Sequence, residues 1–173
     1  MDDLLQQPTR RRIYDVVSAH PGASARDVQR LAGLAWGETA YHLDQLTHSG
    51  AVRRERGGRR DYYFRRDMTW DDRKVVRSLR SASQRLILLV LTEHPGRTAA
   101  ELSERTRLSL STTSFHLRIL VESGTVEAYR EGNLRRYRTT LPARVTELLQ
   151  VYRESFQDSL VDRFVETWSS LIR

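Results

Sequence analysis

Residues 41–50 read YHLDQLTHSG, and residues 115–124 read FHLRILVESG. The two phrases lie 74 positions apart, and the offset holds well beyond them. His20-Pro21-Gly22 returns as His94-Pro95-Gly96, Leu34 as Leu108, Val52 as Val126 and Tyr63 as Tyr137. No gap is needed between residues 11–63 and 85–137, where 18 of 53 aligned positions are identical. Others are conservative, such as Asp27/Glu101, Val28/Leu102 and Tyr41/Phe115. A match of that length at one fixed period marks a structural unit used twice.

In the first copy Pro8 suits the start of a helix, and Ile13, Val16 and Val17 form an apolar stripe up to Ala19. His20-Pro21-Gly22 stops it, because proline cannot continue a helix and glycine accepts the turn. Ser24 with Asp27 three residues on begins a second helix in capping-box style, with Val28 and Leu31 expected to face inward. Gly33 ends that helix. A third runs from about Trp36 to Ser49, with Thr39, His42, Leu43 and Leu46 on its buried side and Gly50 behind it. The pattern then turns from helical to alternating. Residues 51–64, AVRRERGGRRDYYF, predict two strands joined by a Gly57-Gly58 turn. The second copy predicts helices over 85–93, 98–106 and 109–123, then a hairpin over 125–138 turning at Glu131-Gly132-Asn133. Ser109 can cap its third helix, whereas Ala35 at the matching place cannot.

Helix, helix, tight turn, helix and hairpin make a winged helix-turn-helix. The expected fold class is mainly α with small β-hairpin wings: two tandem winged helix-turn-helix domains plus a long C-terminal helix. The expected boundaries are 1–68 for the first domain, 69–139 for a linker helix and the second domain, and 140–173 for the C-terminal helix. Thr69 with Asp72 starts the linker helix, which either merges with the next helix or kinks at Ser81-Ala82-Ser83. A short turn with leucines, a Ser/Thr-rich helix start and the phrase (Y/F)HLxxLxxSGxV resemble ArsR/MarR-type winged-helix transcription regulators. Two such units in one chain resemble the tandem regulators common in archaea. The resemblance covers residues 8–138 and implies DNA binding. The family's metal sensing does not carry over, since the chain has no cysteine and no dense Asp/His cluster.

The resemblance implies that the third helices enter the major groove and the wings reach the backbone or minor groove. On the second copy that face carries Ser109, Ser111, Thr112, Ser114 and Arg118, alongside Leu110 and Phe115. Short hydroxyls can donate to phosphates or bases, and an arginine can bond guanine. The first copy shows Trp36, Glu38, Tyr41 and Asp44 at the same place. Its two acids disfavour a phosphate-lined groove, so this helix meets either bases or a protein partner. Residues 53–66 reverse the ranking, holding seven arginines and two acids. Arg53, Arg54, Arg56, Arg59 and Arg60 crowd the hairpin's end, a cluster suited to phosphate contact. The second wing, with Arg130, Arg135, Arg136 and Arg138 against Glu127 and Glu131, is milder. The first copy is thus expected to grip through its wing and the second to read through its helix.

The net charge of +7 sits on the repeats. Residues 1–68 hold 12 arginines against 9 acids and residues 69–139 hold 13 cations against 8, whereas residues 140–173 hold 4 against 5. Such a balance favours a polyanionic partner. With no cysteine, disulfides and thiolate metal sites are excluded. No apolar run is long enough to span a bilayer and no signal-peptide pattern opens the chain, so a cytoplasmic, nucleoid-associated protein is expected. No phosphate loop, nucleophile elbow or paired carboxylates appear, and Asp44 with His48 makes a poor metal site. The expectation is no enzyme, no metal and no cofactor, while a small-molecule effector stays open.

After Pro142, Val145, Leu149, Tyr152, Phe156, Leu160, Phe164, Trp168 and Leu171 recur every three or four residues. That stripe predicts one helix over 142–172, which either packs on its own domains or pairs with a second copy; a homodimer is the favoured expectation. A sequence-specific regulator of double-stranded DNA is the leading function. A DNA-coating architectural protein and a winged-helix protein-interaction module are the alternatives.

Overall fold

The structure is a computed structural model and describes residues 4–57 and 60–156. Contacts divide the chain into two compact units, Met1–Arg73 and Lys74–Arg173.

In the first unit, α1 (Pro8–Ala19) starts on a proline, whose missing N–H would have had no helical partner. It stops at His20, whose amide still donates to the Val16 carbonyl at 2.8 Å. Gly22 then takes φ 72° and donates its amide to the Tyr63 carbonyl at 2.7 Å. This swings the chain into β1 (Ala23–Ser24), a strand too short to leave a sequence pattern. Ser24 and Asp27 form the full reciprocal capping box of α2 (Ala25–Ala32), which Gly33 closes at φ 61°. Leu31 departs from expectation: it is 38% exposed while Ala32 is fully buried, because one helical turn from Val28 leads to Ala32. Helix α3 (Trp36–His48) buries Thr39, His42, Leu43 and Leu46, as its spacing predicts. Strands β2 (Val52–Gly57) and β3 (Arg60–Arg65) form the wing, with Arg54 opposite Tyr63 and Arg56 opposite Asp61. The sheet order is β1-β3-β2, and its inner residues Ala23, Val52 and Tyr63 join Ile13, Val17, Val28 and Leu46 in one core. Gly58, in the expected turn, lies outside the described residues.

Helix α4 (Trp70–Leu79) follows, with the Asp72 amide bonded to Thr69 Oγ1 at 3.2 Å. The change of unit falls inside this helix, after Arg73, and not ahead of it. Arg73 is drawn into the first unit, its Nε 2.5 Å from Glu55 Oε1 with both side chains largely buried. Val75, Val76 and Leu79 are fully buried, and Ser78 Oγ lies 3.5 Å from Thr125 Oγ1 in the second unit. The chain breaks at Arg80-Ser81, so α4 does not merge with α5 (Ala82–Glu93).

The second unit repeats the plan with α6 (Ala99–Thr106), α7 (Leu110–Glu122), β4 (Val126–Glu131) and β5 (Leu134–Thr139). Thr98 and Glu101 reproduce the capping box. The wing turns at Gly132-Asn133, Gly132 holding φ 59°. In place of a third strand, Arg97 pairs with Tyr137 in an isolated bridge, and Gly96 donates to the Tyr137 carbonyl at 2.9 Å. The repeated residues His-Pro-Gly and Tyr are therefore two ends of one bond, which ties the stop of the first helix to the returning strand of the wing.

The expected continuous C-terminal helix needs correcting. Helix α8 covers only Pro142–Val151; Tyr152 leaves helical geometry and a single 3-10 turn follows over Arg153–Phe156. The break turns Phe156 inward, to 3% exposure, beneath the guanidinium groups of Arg80 and Arg85 at 5.0 and 5.9 Å. Arg80 Nη2 also donates to Ser155 Oγ at 2.6 Å. Leu149, fully buried, and Phe156 are thus spent on the unit's own core, which removes them from the expected pairing surface. Tyr152 is half-buried. Leu160, Phe164, Trp168 and Leu171 lie outside the described residues. Among the described residues no helix is long and apolar enough to cross a membrane.

Candidate nucleic-acid interface

Each unit orients its third helix by the same buried set. Thr39, Leu43 and Leu46 anchor α3 as Thr113, Leu117 and Leu120 anchor α7. His42 and His116 occupy matching places, each edge-on to the preceding ring, at 5.0 Å from Tyr41 and 5.2 Å from Phe115. Burial pushes both imidazoles below the ordinary histidine value; the Arg10 charge adds to this at His42, and Glu38 opposes it. Nδ1 of neither ring finds a hydrogen-bond partner among the described residues. These histidines are packing groups held neutral. Among the described residues no three His, Asp or Glu side chains gather into a metal site.

With the anchors fixed, the outward faces follow. On α7 Ser109, Ser111, Ser114 and Arg118 are exposed and Thr112 is half-buried. Ser109 Oγ accepts from the Thr112 amide at 3.1 Å and lies 3.0 Å from Ser111 Oγ. The first turn of α7 is therefore a cluster of short hydroxyls around free helical amides, a donor-rich end that suits an anion. Leu110 and Phe115 flank it at 53% and 50% exposure, and Arg118 lies 5.6 Å from the Phe115 ring.

On α3 the character changes. Trp36 and Tyr41 are exposed at 43% and 57%, and Glu38 and Asp44 are exposed beside them. Ala35 supplies no side-chain cap, as its side chain requires. Arg26 lies over the Trp36 ring at 4.2 Å, a cation–π contact that charge counting alone does not reveal. Asp44 pairs with His48 at 3.2 Å. A cleft of about 600 Å³ opens between the start of α2, α3 and the wing, and its charged walls are Arg26, Asp27, Asp44, Arg54, Arg60 and Asp61. Three arginines there face three aspartates, so the cleft offers a phosphate no net attraction. Asp27 stays ionised: burial raises its pKa, but the bonds from Ser24 and the Arg30 pair outweigh that and hold it low.

The wings separate free arginines from committed ones. On the first, Arg53, Arg54, Arg56 and Arg60 are exposed. Arg54 hydrogen-bonds the Tyr63 phenol, whose pKa burial raises. The guanidinium groups of Arg53, Arg56 and Arg60 have no ion pair or hydrogen bond among the described residues. Glu55, the acid that lies among them in sequence, is withdrawn into its buried pair with Arg73. Arg59 lies outside the described residues. On the second wing Arg130 and Arg135 are exposed, Arg135 5.6 Å from the Tyr137 ring, and Arg138 pairs with Glu127. Arg136 is tied down: its Nη1 donates to the Gly96 carbonyl at 2.7 Å, and it pairs with Glu131 at 2.5 Å and Glu101 at 3.8 Å. Bonds from Thr98 and Arg97 hold the Glu101 carboxyl down at about 2.

Reasoning from the sequence missed two residues on these faces, Arg26 and Arg107. Arg107 is exposed in the turn ahead of α7 and, alone among the described non-glycine residues, has a positive φ, 56°. The signal was the Gly33-to-Arg107 change at the one helix stop where the repeat loses its glycine.

Comparison with known proteins agrees with this geometry. Residues 7–76 match the family model HTH_HVO_0163_N, described as an N-terminal HTH domain. Residues 80–127 match HTH_24, described as winged helix-turn-helix DNA-binding. The chain is 24% identical over 132 residues to the uncharacterized HTH-type transcriptional regulator MJ1398 of Methanocaldococcus jannaschii, covering 76% of this chain. It spans about a third of that relative's length, 33%. None of these matches selects the ArsR/MarR subdivision. Two family matches laid end to end over two copies of one architecture make this chain a tandem winged helix-turn-helix protein.

Proposed function

We propose that the chain is a DNA-binding transcription regulator that reads a double-stranded site through α7 and holds the phosphate backbone through the first wing. The observation that carries this is the state of Arg53, Arg56 and Arg60: exposed, unpaired among the described residues, and deprived of Glu55 by Arg73. Exposed guanidinium groups with no ion pair of their own are available to a polyanion, whose condensed counterions are released on binding. The hydroxyl-rich start of α7 and exposed Arg118 supply base-reading chemistry beside it. The matched regulator and the DNA-binding description of the second family model support the same reading.

Footprinting on genomic fragments with excess competitor tests it. A protected site of defined length that survives competition is expected. Uniform coating with a steep salt dependence would point to an architectural protein, and no retention on DNA at about 50 mM salt would overturn the reading. The reading includes a two-fold pair addressing a palindromic site, which sedimentation at micromolar concentration checks. A second reading applies to α3 alone. Exposed Glu38 and Asp44 beside Trp36 and Tyr41 suit a protein partner better than a phosphate-lined groove.

A further inference from the structure

The turn joining α6 to α7 holds Arg107 at φ 56° and ψ 24°, where the first unit has Gly33 at φ 61° and ψ 40°. Any residue with a Cβ is penalised in that region, and glycine is not. The two turns are held differently. In the first, the backbone suffices: Gly33 donates to the Arg30 carbonyl and Leu34 to the Gln29 carbonyl, both at 3.3 Å. In the second, side chains lock the turn. Ser103 Oγ donates to the Leu108 carbonyl at 2.7 Å, and Thr106 Oγ1 accepts from the Leu108 amide at 3.4 Å. The first unit has Gln29 and Ala32 at those places, so two hydroxyls are found only where an arginine is forced into a glycine's conformation.

Among the described residues nothing is bonded to that side chain. Arg107 is exposed and has no hydrogen bond or ion pair among the described residues. Its cation does complement the carbonyl end of α6, but Arg105 in the last turn of α6 already does so from an unstrained backbone. Two residues further on, Ser109 caps α7. A guanidinium with no partner among the described residues therefore stands at the entry of α7, the helix read above as meeting the duplex. A strained residue held by its surroundings and left without a partner fits a ligand contact.

We propose that Arg107 is a phosphate-binding residue, laying its guanidinium on the duplex backbone where α7 enters the groove. The proposal rests on the DNA-binding reading above. It is tested by the salt dependence of binding to a mixed-sequence duplex, with thermal midpoints measured beside it, for wild type, Arg107→Gly, Arg107→Ala and Arg107→Lys. Losing one phosphate contact lowers the slope of log K against log salt by about 0.9. The glycine and alanine variants are expected to show that loss and the lysine variant to keep the wild-type slope. The glycine variant, relieved of strain, is expected to melt at or above wild type. A wild-type slope in Arg107→Gly overturns the proposal, as does a slope lost equally in Arg107→Lys or a lowered midpoint in Arg107→Gly. Failure of the wild-type protein to bind any duplex removes the parent reading as well, whereas the other outcomes remove this proposal alone.

Discussion

Replacing Arg53, Arg56 and Arg60 together by alanine separates grip from reading. All three are exposed and unpaired among the described residues, so their removal leaves no orphaned carboxylate and should not destabilise the first unit. If each neutralises one phosphate, the slope of log K against log salt falls by about 2.7, at ~0.9 per contact. Between about 50 and 200 mM salt, that difference amounts to roughly 40-fold in affinity. The comparison set is Ser111, Thr112 and Arg118 to alanine, which carries one cation. Its slope should change by at most about 0.9, while preference for the protected site over mixed sequence is lost. Arg136→Ala is the control for charge alone. Its guanidinium is already bonded to the Gly96 carbonyl and to Glu131, so the slope should hold while the second unit loses about 1–2 kcal/mol. Fluorescence anisotropy on labelled duplexes reads slopes and preference, and chemical denaturation reads stability. Equal slope changes from the wing set and the helix set would refute the division of roles. A wild-type slope in the triple arginine variant would refute the wing contact itself.

Three further outcomes follow from the packing. Ser109→Ala should cost about 1 kcal/mol by removing the cap of α7, and Ala35→Ser should stabilise α3 by up to a similar amount; denaturant midpoints decide both. Phe156→Ala should cost the second unit about 3–5 kcal/mol, since the ring is 3% exposed and closes the core below Arg80 and Arg85; a loss under 1 kcal/mol would show that the 3-10 turn is incidental. Stability should fall as pH drops below about 6.5. There the unfolded chain protonates histidines that burial keeps neutral in His42 and His116, and asparagine at both places should flatten that limb of the melting profile.

Much of the fold was legible because its elements announce themselves locally. Pro8, the Ser24/Asp27 box, Gly33 and the switch to alternation after Gly50 each act within a few residues. What escaped depends on distant partners. Strand β1 has two residues and exists only because Tyr63 accepts from Gly22. The apolar spacing through Tyr152 continues unbroken, yet α8 stops there because Phe156 is drawn back beneath Arg80 and Arg85. On the wings, Arg136 and Arg53 look equivalent as letters. Only the fold shows one bonded to Gly96 and the other without a side-chain partner among the described residues. Most of the α7 face is exposed as expected, Thr112 being half-buried, whereas the neutral balance of the cleft beside α3 needs Asp27 and Asp61 beside Asp44, residues that the sequence keeps far apart.

The bond between the helix stop and the wing has a practical corollary. Both ends of it, and the Thr-His-Leu-Leu set under each third helix, are the same in the two copies. Divergence is concentrated on residues that point away from the core. The halves thus behave as interchangeable chassis: transplanting the outward residues of 110–118 onto 36–44 should move the reading chemistry from one domain to the other without redesigning either interior.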